Sequence, residues 1–292
     1  METGSGIKTG LKHLIGFTQG RLVHSESGHL QCFPQKTWQA ELQVGNQIGI
    51  DYIEWLVERQ SNPQNPIWTK EGIERIHDGF KTNGLKPYSA VNDYTLDHDL
   101  TASTDPIVQT RKLLDCLHQL SFSKVVLPLY DASEISGKPL PPFIAPLREI
   151  ADHAAELGIE IFLETVLTCE NFLALIERVD RPNISVCFDL GNRITLGQDI
   201  YEEIGILGQQ LRHVHVKDKD SNGHNVILGT GKVDFYRAMQ SLADIGYGGA
   251  FTFETPRGRE PARTAQFHKS VIEFFMRETE LEKDERDQHV AQ

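Results

Sequence analysis

The sequence is short of cysteine, of long apolar segments and of positive charge. Its four cysteines (Cys32, Cys116, Cys169 and Cys187) show no CxxC pair and no regular spacing, which argues against a disulfide framework and favours a reducing compartment such as the cytoplasm. No apolar run approaches the about 20 residues of a membrane-spanning helix, and the N-terminal segment lacks the apolar core of a signal peptide. The formal net charge of −12 argues against nucleic acid or an anionic membrane as a partner.

The remaining composition is that of a globular chain without an internal boundary. Of the 292 residues, 39% are hydrophobic and 24% are charged, which suits a folded domain with a sizeable core. No break in composition marks a linker. We therefore predict one domain over residues 1–277, followed by a charged tail over residues 278–292 that forms a frayed helix or a solvated end.

Strand-like and helix-like segments alternate along the chain. Eight short runs are continuously apolar, which is typical of parallel strands buried on both faces, and amphipathic segments separate them. No GxGxxG motif follows the first run, which argues against a doubly wound dinucleotide-binding sheet. The pattern predicts an α/β fold, a single (β/α)8 TIM barrel, with strands in HLIGFTQ, GIDYIEWL, LKPYSAVND, KVVLPLYD, GIEIFLET, PNISVCFD, LRHVHVKD and GGAFTFET.

Each of the last four predicted strands ends with a side chain that can bind a metal. Glu164, Asp189, His215 and Glu254 follow one another at separations of 25, 26 and 39 residues. Taken singly, each has an ordinary explanation as a helix cap, an ion-pair partner or a core histidine. Because the C-terminal ends of barrel strands meet at one face, the four together predict a metal site there. Three carboxylates and one imidazole favour Mn²⁺, with Mg²⁺, Co²⁺ or Zn²⁺ as alternatives.

Strand seven offers further candidates beside His215. His213 has the same strand parity and competes for the ligand position. His215 is preferred because it lies nearer the strand end, so His213 is predicted to be a hydrogen-bonded residue deeper in the barrel. Asp218 closes the same strand and either contacts substrate, orients a ligand or caps a loop.

Polar residues at the ends of the first four strands are candidates for binding a small carbohydrate. Gln19, Glu54, Asn92 and Asp131 are placed to contact sugar hydroxyls, although a structural ion pair fits Glu54 equally well. Four aromatic residues near the first two strand ends can cover the apolar face of a sugar or pack in the core: Phe33, Trp38, Trp55 and Trp68. Trp38, within a helical pattern, is assigned mainly to packing.

Two further features suggest recognition of an anionic group. The backbone N–H groups of Gly229 and Gly231, ahead of a helix that starts near Asp234, can face an anion or form a plain turn. Arg257 and Arg21 can each bind a phosphate or carboxylate, or pair with surface charges.

The chain resembles the xylose isomerase-like barrel family of sugar and sugar-phosphate isomerases and epimerases. The resemblance runs from GFTQGRL to FTFETPRG and includes GIDYIEW, KVVLPLYD, FLET, CFDLGN, HVHVKD and LGTGKVDF. It implies that Glu164, Asp189, His215 and Glu254 bind a divalent metal, and that the two glutamates transfer protons. In the ketose 3-epimerases that it resembles, a histidine and an arginine are usual at two positions that here hold Asn192 and Ser221, respectively. Asn192 can hydrogen-bond a hydroxyl but cannot titrate.

These features predict an enzyme that removes a proton beside a carbonyl, with an enediolate stabilised by the metal. Return of the proton to the opposite face gives epimerisation, and return to the adjacent carbon gives isomerisation. A dehydratase acting on a keto-polyol on the same barrel is the main alternative. An abasic-site endonuclease would need more histidines and a basic surface, and a non-catalytic barrel would not need all four ligands. Homo-oligomerisation is expected by analogy alone.

Overall fold

The structure is a computed structural model and describes residues 13–290. Eight parallel strands close into a barrel, and the sequence-based prediction of a TIM barrel is confirmed. The barrel strands are β1 (Ile15–Thr18), β2 (Tyr52–Val57), β3 (Ser89–Asn92), β4 (Lys124–Pro128), β5 (Glu160–Glu164), β6 (Ile184–Asp189), β7 (Leu211–Val216) and β10 (Ala250–Phe253). A two-stranded antiparallel hairpin, β8 (Asp218–Lys219) and β9 (Asn225–Val226), follows β7 and was not predicted.

Helices surround the barrel where the amphipathic segments predicted them. They are α1 (Trp38–Ile48), α2 (Lys70–Thr82), α4 (Asp105–Gln119), α5 (Pro141–Glu156), α6 (Cys169–Val179), α8 (Ile200–Leu207), α9 (Phe235–Asp244) and α10 (Pro261–Val290), together with the short α3 (Tyr94–Asp97) and α7 (Leu190–Ile194). The last helix, α10, continues past residue 277 through the segment predicted as a charged tail, to Val290.

Local sequence signals start several of these helices. The Thr69 hydroxyl accepts the Gly72 N–H at 3.1 Å at the start of α2, and the Asp234 carboxylate accepts the Arg237 N–H at 3.0 Å at the start of α9. Such side chains satisfy N–H groups that a helix leaves unpaired in its first turn. These caps therefore set the residue at which each of the two helices begins after its preceding loop.

The barrel interior is filled by side chains and is not a pore. At Gly16 in β1, a Cβ atom would lie 2.4 Å from the Tyr52 ring, so a glycine is needed for the tyrosine to pass over β1. The Tyr52 hydroxyl reaches Thr252 Oγ1 of β10, on the other side of β1, at 2.6 Å. This packed layer forms the floor beneath the C-terminal ends of the strands.

The parallel register aligns the site residues at one level. Asp189 pairs with His215, and His215 pairs with Thr252, so β6, β7 and β10 present residues at or next to their C-terminal ends side by side. Glu164 is the last residue of β5, and Glu254 directly follows β10.

All four cysteines are free thiols, as expected from their spacing. Within residues 13–290, no helix combines the length and the apolar character that crossing a membrane requires.

Candidate active site

The four predicted ligands converge at the C-terminal face of the barrel around one atom, His215 Nδ1. Glu164 Oε2 lies 3.2 Å from it, Glu254 Oε1 3.7 Å and Asp189 Oδ2 4.0 Å. All four side chains are buried, with His215 fully so. One nitrogen and three carboxylate oxygens therefore lie together in a buried cluster.

Each carboxylate uses its other oxygen in a structural contact. Asp189 Oδ1 caps α7 by accepting the Asn192 N–H at 2.7 Å. Glu164 Oε1 accepts hydrogen bonds from the Tyr130 hydroxyl at 2.9 Å and from Asn192 Nδ2 at 3.2 Å. Glu254 Oε2 accepts the Lys217 ammonium at 2.6 Å. The capping role considered for Asp189 thus coexists with an oxygen directed at His215.

Glu54 fixes the orientation of His215 from below. Its Oε1 lies 3.1 Å from His215 Nε2, and its Oε2 lies 3.1 Å from His213 Nε2 and accepts the Ser89 hydroxyl at 2.8 Å. Glu54 is fully buried and does not line the cavity, so its position corresponds to the structural ion pair and not to a sugar contact. A carboxylate on one ring nitrogen leaves the other nitrogen free to bind a metal.

Charge and burial set the protonation of these groups. Burial opposes ionisation of Glu254, but the neighbouring Lys217 and His215 charges outweigh it and hold its pKa at about 2. Burial raises the pKa of Asp189 to about 6, against the lowering effect of Lys217. The pKa of His215 is raised despite burial, because Cys187 and the surrounding carboxylates favour the cation. The cluster carries an excess of negative charge that a divalent cation would balance.

A cavity of about 500 Å³ opens above the cluster. Its wall combines cationic, acidic, amide and apolar groups, as expected for a polyhydroxylated ligand. The lining residues include Glu164, Asn192, Lys217 and Glu254 from the cluster, together with Arg21, Gln31, Arg59, Asp93, Tyr130, Asp131, Val166, Leu196, Lys219 and Asn225.

Two predicted sugar contacts point away from this cavity. Gln19 is fully buried and accepts the Leu56 N–H at 3.1 Å through Oε1. Asn92 donates from Nδ2 to Thr110 Oγ1 at 3.0 Å, which directs its side chain towards α4. Gln19 thus ties the end of β1 to β2, and Asn92 ties β3 to α4, so direct sugar contact by either is not supported by their position.

The glycine loop does not present free N–H groups to an anion. Asp218 Oδ2 accepts the N–H groups of Gly229 at 3.0 Å and Gly231 at 2.8 Å, and Asp218 Oδ1 accepts that of Val233 at 3.0 Å. The carboxylate itself is the anion that this loop binds. Asp218 therefore organises the loop after β7, and none of the three predicted substrate contacts Asp218, Gly229 and Gly231 lines the cavity.

Arg257 is also committed to the protein. Its guanidinium donates to the carbonyl oxygens of Gly20 at 2.5 Å, His29 at 3.0 Å and Leu30 at 2.8 Å, and so ties the loop after β1 to the loop after β10. The predicted phosphate or carboxylate contact of Arg257 is not available in this arrangement.

The candidate aromatic residues pack inside the protein. The Trp55 ring lies 5.5 Å from Phe33 and 5.6 Å from Trp38, between centroids, and Trp55 is fully buried. Trp68 packs against the same core. None of the four lines the cavity.

The cavity-wall residues that sequence reasoning missed include Asp93, Tyr130 and Lys217. Asp93 follows the predicted contact Asn92, so the choice on β3 was one residue off, whereas Tyr130 precedes the predicted contact Asp131, which also lines the cavity. Burial raises the pKa of the Asp93 carboxyl to about 7, with Glu254 adding to the effect. The signal for Lys217 was available, because it shares the strand parity of His213 and His215 and so points inward.

The donor set fits a divalent metal. Two of the converging atoms are buried without a full set of partners: within the described part of the chain, His215 Nδ1 has no hydrogen-bond partner, and Asp189 Oδ2 has only the ion pair with Lys217. Buried polar atoms are rarely left in this state, so a ligand that uses them is expected. Groups of Glu164, Asp189 and His215, and of Glu54, His215 and Glu254, have ligand atoms within 4.8 Å of one another. Oxygen-rich donors with one imidazole suit a hard or borderline cation.

Comparison with known proteins gives a consistent result. A family model described as a xylose isomerase-like TIM barrel matches residues 42–275. An L-ribulose 3-epimerase from Methylomonas sp. (strain DH-1) is 30% identical over 227 residues, which cover 71% of this chain and 74% of that protein. A ketose 3-epimerase from Arthrobacter globiformis is 33% identical over 119 residues, 38% of this chain. The chain spans less than half the length of that relative, 40%.

A solved structure of an L-ribulose 3-epimerase superimposes with a TM-score of 0.75 at 18% identity, covering 92% of this chain and 96% of that one. At that identity the likeness concerns the fold.

Proposed function

The chain belongs to the xylose isomerase-like TIM barrel family, and on that premise we propose that it is a divalent-metal-dependent epimerase or isomerase. Its substrate would be a sugar, a sugar phosphate or a related keto-polyol. One observation carries the proposal: three carboxylate oxygens surround His215 Nδ1 beneath a polar cavity. The sugar epimerases among the relatives support the same reaction class.

Glu164, Asp189, His215 and Glu254 would hold the metal, with Mn²⁺ preferred for this oxygen-rich set. When bound, the metal supplies positive charge next to the substrate carbonyl and lowers the cost of the negative charge that develops there. Asp189 and His215 act only as ligands in this assignment. The four free thiols favour a reducing compartment such as the cytoplasm.

Glu164 and Glu254 would move the protons. They follow β5 and β10, which β6 and β7 separate in the barrel, so they reach the cavity from different sides. One glutamate, ionised, takes the proton from the carbon beside the carbonyl; the electron pair of that C–H bond forms a C=C bond to the carbonyl carbon, and the π pair of the C=O bond moves onto the oxygen. The other glutamate, protonated, returns a proton to the opposite face or to the adjacent carbon. Despite burial, the neighbouring charges of Lys217 and His215 lower the pKa of Glu254 and keep it ionised, as the glutamate that accepts the proton must be.

Asn192 would contact a substrate hydroxyl, because its side chain lines the cavity next to Glu164. Tyr130 donates to the same glutamate oxygen and keeps that carboxylate in one orientation.

The test is metal analysis of the purified protein, followed by incubation with ketoses, ketose phosphates and keto-inositols in D₂O. We expect bound divalent metal and deuterium at the carbon beside the carbonyl, both with the wild type, and loss of exchange in Glu164→Gln and Glu254→Gln. A protein that binds no divalent metal and keeps its activity in both variants would overturn the proposal. Release of water instead of an isomeric sugar would assign the chain to the dehydratases.

A further inference from the structure

Lys217 lies within the ligand cluster but is not a metal ligand. Its Nζ lies 2.6 Å from Glu254 Oε2 and 2.7 Å from Asp189 Oδ2, and its side chain is only 9% exposed. The side chain also lines the cavity. An ammonium group has three N–H donors, and the two carboxylates account for two of them. One donor remains for a group that enters the cavity.

The space for the Lys217 side chain is provided by Gly191 in α7, the short helix that follows β6. A Cβ atom at Gly191 would lie 2.4 Å from Lys217 Cγ and 3.1 Å from the Lys217 carbonyl oxygen. The backbone of Gly191 does not have a positive φ, so the glycine is not needed for the turn. Its absent side chain provides the space in which the lysine stem runs to Asp189 and Glu254.

Lys217 differs from the other cations of the cavity wall. Arg59 pairs with Asp97 and Asp131 at the rim, and Arg21 donates to the Leu30 carbonyl and the Gln31 side chain. Of the described cationic side chains that line the cavity, only Lys217 contacts the carboxylates of the candidate metal ligands, Asp189 and Glu254.

From this arrangement we propose that Lys217 is a further catalytic residue: its free N–H donates to the substrate oxygen that becomes negative when the neighbouring carbon loses its proton. No proton is transferred by the lysine, which stays an ammonium throughout. The inference rests on the proposed function, since it names a donor for the same reaction. The binding of a planar oxyanion by Lys217 can nevertheless be measured without the true substrate.

Oxalate is a suitable probe, because it is a planar dianion with two oxygens placed like those of an enediolate. Hydrogen bonds between an ammonium and an oxyanion are among the stronger ones in proteins. We expect Lys217→Met to weaken oxalate binding to the Mn²⁺-loaded protein about 10- to 100-fold. Binding of Mn²⁺ alone should be unchanged or tighter, since a positive charge next to two ligand carboxylates is removed.

The control is Lys219→Met. Lys219 also lines the cavity, but it forms no ion pair with the described residues, so its removal tests the general effect of one positive charge. We expect a change in oxalate affinity below about threefold for this variant. Lys217→Arg keeps the charge and should restore part of the affinity. The affinities for Mn²⁺ and for oxalate can both be measured through the effect of bound Mn²⁺ on the relaxation of water protons.

Unchanged oxalate affinity in Lys217→Met, or an equal loss in Lys219→Met, would overturn the inference. Loss of Mn²⁺ binding in Lys217→Met but not in Lys217→Arg would also overturn it, because the lysine would then only shape the ligands. If the wild type binds Mn²⁺ and oxalate as described but exchanges no carbon-bound proton in any sugar of the panel, the proposed function fails and the oxyanion contact remains. If exchange occurs and Lys217→Met keeps the same kcat, the proposed function remains and the inference fails.

Discussion

Two clusters of buried charge lie close together along the chain but differ in how completely they are paired. The Arg193 side chain of α7 contacts Glu203 of α8 through two hydrogen bonds, at 2.7 and 2.5 Å. Its remaining N–H groups donate to the carbonyl oxygens of Thr165 and Leu167, each at 3.1 Å. At the cavity floor, by contrast, His215 Nδ1 has no hydrogen-bond partner among the described residues, and Asp189 Oδ2 has only the ion pair with Lys217, at 2.7 Å.

The difference separates a structural ion pair from a candidate binding site. Buried charge alone marks neither, since both clusters are almost wholly inaccessible to water. A buried pair in which each polar side-chain atom has a partner needs no further ligand, whereas a buried atom without one costs free energy unless something binds it. The comparison predicts that substitutions in the Arg193–Glu203 pair affect the stability of the fold and that substitutions in the cluster around His215 affect activity.

The largest effect is expected from Glu254→Gln. The variant keeps the shape of the side chain but removes a group proposed both to bind metal and to accept the proton, so kcat should fall about 100- to 10,000-fold. Steady-state turnover or solvent-deuterium exchange with the preferred sugar measures this. The control is Glu203→Gln, which should keep the activity per folded molecule at a temperature where it remains folded. Equal losses of kcat in the two variants would erase the distinction between the clusters.

Arg193→Met should have the opposite profile. It leaves the buried Glu203 carboxylate without a cation, and breaking a buried pair in this way costs about 3–5 kcal/mol in the free energy of unfolding. Urea denaturation measures it. The matched control is Arg181→Met, which breaks the more exposed pair with Asp152 and should cost less than about 1 kcal/mol. Similar unfolding free energies for both variants would show that the Arg193 pair does not stabilise the fold.

Glu41 extends the comparison to a buried carboxylate with no cation in contact. It accepts the N–H groups of Gly20 at 2.7 Å and Leu22 at 3.0 Å, and burial raises its pKa from 4.5 to about 7 despite those bonds. The folded protein therefore holds this proton more tightly than the unfolded chain. The associated stability is fully present below pH 4.5 and is lost as the pH rises through 7, by up to about 3 kcal/mol.

Unfolding free energies at pH 5 and pH 8 test this in the wild type and Glu41→Gln. Subtracting one protein from the other removes the contributions of other groups. We expect Glu41→Gln to gain stability relative to the wild type at the higher pH. The same pH dependence in both proteins would refute the assignment.

The sequence predicted the fold and the meeting point of the cluster because both follow from local patterns. Apolar runs that end in Glu, Asp, His and Glu show strand ends directly, and parallel strands bring those ends to one face. The direction in which a side chain points just beyond a strand, by contrast, depends on contacts with parts of the chain that are distant in sequence. Asn92 faces α4 while Asp93 faces the cavity, and a shift of one residue decides which. Asp218 binds a loop that returns more than ten residues later, and Lys217 depends on the space at Gly191, so neither contact can be read from spacing.

The smallest effect concerns Glu54, which belongs to the cluster without lining the cavity. Glu54→Gln removes the charge that orients His215 Nε2 but keeps a side chain of the same shape, and loss of such a partner weakens metal binding about 10- to 100-fold. Titration calorimetry with Mn²⁺ measures the change. Ser89→Ala is the control, since it removes one hydrogen bond to Glu54 and leaves its charge, and it should weaken Mn²⁺ binding much less. If Glu54→Gln binds Mn²⁺ as tightly as the wild type, Glu54 is a purely structural carboxylate like Glu203. The candidate metal site would then include His215 but not Glu54.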